Sequence, residues 1–129
     1  MKFRNKRTRT GANAVELAIV LPLLIIFFFG LWEWSRVEMM KHVCETAAFE
    51  GARQGSMPGA TTTSMEEAAQ EMLALYNVSG ETITATIDTT AKTSTIQISI
   101  PLDDNTLVTK FFFFGQTITR EFSLRQQVD

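Results

Sequence analysis

Apolar and polar positions follow three different rhythms along the chain. From Leu17 to Trp32 there are 16 residues without a charge, and from Ala12 there are 21 if Glu16 is tolerated. At about 1.5 Å per residue the longer run spans roughly 31 Å, close to a hydrocarbon thickness of about 30 Å, so it predicts one membrane crossing. The apolar pattern then continues at three- and four-residue steps through Val37, Met40, Cys44, Ala47, Ala48, Gly51, Ala52 and Gly55. Glu38, Lys41, Glu45 and Arg53 fall mostly elsewhere around that helix, which is the pattern of one buried face. A single helix from about Asn13 to Gln54, roughly 60 Å long, is therefore expected to outlast the bilayer.

The segment "GSMPGATTTS" breaks this periodicity with Gly55, Pro58 and Gly59. Ser64 to Glu67 has the S-x-x-E form of a capping box, which predicts a second helix starting there. Its stripe is Met65, Ala68, Ala69, Met72, Leu73 and Tyr76, and "NVSG" ends it. Beyond this point the period falls to two. "TITATID" places Ile83, Ala85 and Ile87 on one face and "TIQISI" does so with Ile96, Ile98 and Ile100, a hairpin joined near Thr89 to Thr93. "TITREFSLR" adds a third strand with Ile118, Phe122 and Leu124 inward, Arg120 being the exception on that face. The expected fold class is α+β: a long amino-terminal helix, a short second helix and a small antiparallel sheet packed on the amphipathic part of the long helix.

Charge adds a direction to this picture. Lys2, Arg4, Lys6, Arg7 and Arg9 precede Gly11 with no acid among them, which leaves 7 of the 12 basic residues against all 14 acidic ones from Ala12 onward. Short basic flanks stay on the cytoplasmic side, so the acidic remainder reads as exported. Three regions follow: a basic leader over 1–11, a transmembrane part over 12–34 and an exported α+β domain over 35–129. A cleaved secretory signal peptide shares the basic start and apolar centre, but "LWEWSRVEMM" offers no small-residue cleavage site. The basic tail has only Phe3 to stack on a base, which argues against nucleic acid.

Candidate chemistry is sparse. Cys44 is the sole cysteine and His42 the sole histidine, so neither a Cys-based metal cluster nor an intramolecular disulfide nor a multi-His zinc site is available. Cys44 reads as a buried thiol, or else as a contact between subunits. The acids Glu66, Glu67, Asp103 and Asp104 read as solvated faces, with no base and nucleophile beside them. Asn77-Val78-Ser79 fits a glycosylation sequon too short to carry a role. "FFFF", Phe111 to Phe114, reads as a loop completing the core or as a subunit contact. No enzyme, metal or cofactor is expected.

Three features of the first 53 residues belong together. Basic residues lead to Gly11, then Ala12, Asn13, Ala14 and Val15, then Glu16 and an apolar helix running "LAIVLPLLIIFFFG"; further on comes "AAFEGAR", Ala47 to Arg53. This order resembles the TadE-like minor pilins, or pseudopilins, of tight-adherence pilus systems, with their "GA-x-A-V-E" box and "A-A-R-E-G-A-R" motif; Phe49 stands where the family has arginine. The resemblance covers Arg7 to Arg53. It implies a pilin-like fold and a non-enzymatic, single-pass bacterial inner-membrane protein needed for pilus biogenesis. It also implies cleavage by a prepilin peptidase between Gly11 and Ala12, and partners among other pseudopilins, the assembly platform and membrane lipid.

Within that resemblance the residues keep alternatives. Glycine suits a protease cleft because it lets extended backbone enter, although Gly11 could merely precede the helix. Glu16 has a cationic partner in the amino terminus released at Ala12, which would set register between subunits; otherwise it sits among headgroups near the helix start. Pro22 removes one helical hydrogen bond and softens the helix for packing into a filament, or is an ordinary membrane-helix proline. Ala47, Ala48, Glu50, Gly51, Ala52 and Arg53 form a helix-packing motif. The competing reading of the whole chain is an uncleaved anchor displaying a small ligand- or protein-binding domain.

Overall fold

The computed structural model describes residues 8–105 and 115–126. The Phe111 to Phe114 run lies outside the described residues, as does the basic stretch up to Arg7. Helix α1 (Thr8–Gly55) and helix α2 (Thr62–Ala74) precede three strands, β1 (Thr82–Asp88), β2 (Thr93–Pro101) and β3 (Thr117–Arg125). The strands form one antiparallel sheet in the order β1-β2-β3. The fold is α+β with the expected elements in the expected order.

Helix α1 begins five residues before the expected Asn13 and passes through Pro22 without a break. The proline lacks the N–H that would reach the Ala18 carbonyl, and the rest of the turn carries the helix across that gap. Side chains from Gly11 to Trp32 are exposed apart from the half-buried Gly30, and the first buried one is Glu33. From Val37 the expected face is buried: Val37, Met40, Val43, Cys44, Ala47, Ala48 and Ala52 pack into the core. Among the described residues every buried hydrophobic one lies at or after Val37, so the described apolar half of α1 adds nothing to the domain core.

The second helix starts earlier than "SMEE" suggested. Thr61 is its N-cap, accepting from the Ser64 N–H at 3.2 Å while the Thr61 N–H donates back to Ser64 Oγ at 3.1 Å. Ser64 is thus the third helical residue and not the cap, because a Thr-x-x-Ser box closes the same two donors three residues sooner. Met65, Ala69 and Leu73 are buried, whereas Tyr76 is 49% exposed. The helix has ended at Ala74 with Leu75 as its C-cap, so Tyr76 no longer follows the helical stripe, and Asn77 after it turns the chain with φ +51°.

In the sheet, Ser94, Ile96, Ile98 and Ile100 of β2 alternate inward and are all fully buried. Register opposes Ile98 to Ile83 on one side and to Arg120 on the other. The edge strand β1 is only half-buried at Ile83, Ala85 and Ile87, since it has a neighbour on one side alone. The hairpin turn is held by Asp88, whose Oδ1 accepts from the Thr90 and Ala91 N–H groups at 2.8 and 2.9 Å, with Lys92 at φ +52°.

Candidate functional site

Gly11 lies in the first turns of α1, and a Cβ built on it meets nothing within 4 Å. Glycine there costs helix stability on the order of 1 kcal/mol with no packing reason for its presence. Ala12 and Glu16 stand four apart on the same helix, hence on one face, and both are exposed. An amino group freed at Ala12 would share that face with the Glu16 carboxylate.

The second motif is used differently. Ala47, Ala48 and Ala52 are at most 1% exposed, and Gly51 and Gly55 are also buried. A Cβ on Gly51 would run into Ile96 Cδ1 and stand 2.9 Å from the Met65 carbonyl oxygen; on Gly55 it would stand 2.8 Å from Ser94 Cβ. Both α2 and β2 therefore approach α1 at its small residues. The helix end is held by the sheet: the buried Ser94 hydroxyl donates to the Gly55 carbonyl at 2.6 Å. Glu50 and Arg53 point away from this contact and pair with each other, Arg53 Nε donating to Glu50 Oε2 at 2.9 Å and Nη2 to Oε1. The guanidinium lowers the Glu50 pKa and is itself raised by the carboxylate. Being exposed, the pair adds little to stability. Phe49, in the place of an arginine, lies edge-on to Phe122 of β3 with ring centroids 5.3 Å apart. It adds aromatic surface to the contact between α1 and β3.

Cys44 is fully buried, and its thiol donates to the Ile98 carbonyl at 3.7 Å. Burial pushes its pKa up from 9.0 to about 11, against a small opposing pull from Arg120. A thiol this far from its thiolate is inert. Maleimide at pH 8 is expected to label Cys44 about a hundredfold more slowly in the folded chain than in urea, and equal rates would show the thiol to be open. The fold favours the neutral thiol, so its contribution is complete below pH 9.0 and is lost as the pH climbs towards 11.

Two groupings gave no signal in the sequence. Glu33 is 1% exposed and neither carboxylate oxygen has a hydrogen-bond partner, although it sits in an apolar run that reads as anchor. Asn105 ties three segments together: its side chain donates to Ser79 O at 2.7 Å and Pro101 O at 2.9 Å and accepts from the Ser79 N–H at 2.8 Å. Its own carbonyl accepts from Arg36 at 3.0 Å. An asparagine in a loop looks like any other until its partners are brought to it. Among the described residues no group of three or more His, Cys, Asp or Glu could hold a metal ion.

These features define a class: one helix long and apolar enough to cross a membrane, continuous with the core helix of a small α+β domain. The family model described as TadE-like protein matches residues 11–53. Residues 11–53 are thus similar to the TadE-like family, consistent with a TadE-like protein of Tad pilus systems. That similarity suggests a Tad pilus-associated component, in a family that is generally structural. No curated protein and no solved structure matches the chain.

Proposed function

We propose that the chain is a non-enzymatic pseudopilin that serves biogenesis of a tight-adherence pilus. It is cut by a prepilin peptidase between Gly11 and Ala12 and stays in the cytoplasmic membrane through the apolar part of α1. Its basic tail faces the cytoplasm and its α+β domain the outside, by the bias against moving Lys and Arg across the membrane. Its partners are other pseudopilins and the assembly platform. The observation that carries this reading is Gly11 itself. It is a glycine inside a helix where nothing packs against it, inside the matched segment and five residues before a carboxylate. A backbone that unwinds easily at that point is what a peptidase needs.

Glu16 then acts after the cut, meeting the Ala12 amino group in its own or an adjoining subunit, and Pro22 softens the helix as subunits leave the bilayer and pack. The test separates cutting from assembly. Glu16→Ala is expected to be processed to a chain beginning Ala-Asn-Ala-Val-Glu, by amino-terminal sequencing, yet to lose co-purification with other pilus components. Normal piliation in that variant would reduce Glu16 to a positional feature. A natural start at Met1 would replace the proposal with an uncleaved anchor.

A further inference from the structure

The domain is polarised across the sheet. Between Gln54 and Ala91 there is no lysine, arginine or histidine, and this stretch makes α2 and β1. On α2, Glu67, Glu71 and Leu75 stand at i, i+4 and i+8. All three are exposed, Leu75 by 71%, and Leu75 keeps helical angles as the C-cap. They form one ridge, two acids followed by an apolar tip.

On the opposite side, between α1 and β3, runs a groove of about 490 Å³ lined by Trp34, Val37, Lys41, Ile118 and Arg120 among others. Sheet order puts β3 at the far edge from β1, and α2 packs by β1, so ridge and groove lie on opposite flanks. Lys41 is held by Glu38 at 2.6 Å and stands 5.8 Å from the Trp34 ring. Arg120 Nη1 donates to its own neighbour's carbonyl, Thr119 O, at 3.2 Å; Glu38, whose pKa is lowered mainly by its hydrogen bond from Lys41, also feels the Arg120 charge but makes its ion pair with Lys41.

We propose that the α2 ridge of one copy of this chain docks into the α1–β3 groove of the next. Glu67 and Glu71 meet Lys41 and Arg120, and Leu75 lies against Trp34 and Ile118. The order along the axis agrees. Ala69 packs at Gly51 while Tyr76 shares a cavity with Met39, Met40 and Val43, so α2 descends along α1 with its acids distal and Leu75 nearest the apolar segment. In the groove the cations are likewise distal to Trp34. Matching the two needs neighbouring copies to be offset by six to eight helical residues, on the order of 10 Å along α1. Ridge and groove are different surfaces, so the contact is heterologous and propagates in place of closing as a dimer. The inference rests on the pseudopilin reading only in taking the long helices as side by side in one membrane.

The test uses full-length chains with two different tags, made together in bacterial membranes that lack the other pilus components. Wild-type chains are expected to co-purify. Glu67→Lys with Glu71→Lys, and separately Lys41→Glu with Arg120→Glu, are each expected to lower that recovery by about tenfold, since like charges then face each other. Co-expressing the two reversed chains restores it, because every ridge again meets a groove of opposite sign, and this recovery shows that both variants fold. In oxidised membranes, Glu71→Cys combined with Arg120→Cys in one chain gives a ladder beyond the dimer, and either change alone stops at the dimer. Undiminished recovery from either reversed chain, no restoration on mixing, or no ladder would overturn the proposal. An uncut amino terminus would sink the pilus reading and leave these outcomes unchanged.

Discussion

Gly11→Val is expected to leave the chain uncut, with only the full-length species in membranes and no filament incorporation. The expectation is sharp because the fold is indifferent to that position. A Cβ on Gly11 meets nothing within 4 Å, and among the described residues all buried hydrophobic ones lie at or after Val37, so the variant is expected to keep its domain. Valine also stiffens the local helix relative to glycine, since its branched side chain has fewer backbone options. Loss of processing would then be loss of recognition, read directly by the shift in mass or by the amino-terminal sequence. Efficient cutting of the valine variant would remove the role assigned to Gly11.

The second large effect is expected at Gly51. Alanine there forces its Cβ within 2.9 Å of the Met65 carbonyl oxygen and onto Ile96 Cδ1; the isoleucine tip can turn aside, but backbone of α2 cannot without moving the helix. Overpacking of this kind costs about 1–3 kcal/mol, and valine would cost more. For a small domain with stability near the low end of about 5–15 kcal/mol, that is a large share. A fragment beginning at Arg36 retains the hydrophobic core and is expected to fold as a soluble domain, so urea denaturation of the fragment can measure the loss. Gly30→Ala in the full chain is the matching control: nothing stands within 4 Å of its Cβ, and helix propensity favours alanine by up to about 1 kcal/mol. A wild-type midpoint for Gly51→Ala would mean that α2 sits further from α1 than the packing shows.

Most of the architecture could be read from residue order because each element carries its own period. The β strands were the clearest case. "TITATID" and "TIQISI" alternate without interruption and "TITREFSLR" does so apart from Arg120, and the observed strands extend the expected ones by a residue or two at either end at most. Boundaries were less certain where several residues can do one job. Thr61, Thr62, Thr63 and Ser64 are all competent N-caps, and only the folded chain, with its reciprocal Thr61–Ser64 hydrogen bonds, marks Thr61 as the cap. Tyr76 fitted the stripe by count, but the helix had already ended at Ala74. Of the proposed site, the Gly11 and Glu16 spacing and the small residues from Ala47 to Ala52 were visible in the sequence. The burial of Glu33 and the hub at Asn105 were not; the hub depends on Ser79 and Arg36, 26 and 69 residues away.

What the sequence determined by itself were quantities summed locally along the chain. These are the length of the apolar run, the sign of the charge before and after it, the three periodicities, and the order of glycine, carboxylate and apolar helix. Tertiary structure decided which surfaces face each other. It set α2 and β2 against the glycines of α1, put Cys44 under Ile98 where its thiol is inert, and left an acidic ridge on one flank with a cationic groove on the other. The physical reason is range. Helix propensity and hydrophobic period act between neighbours a few residues apart, whereas burial and charge pairing depend on distances that exist only once the chain has folded back on itself.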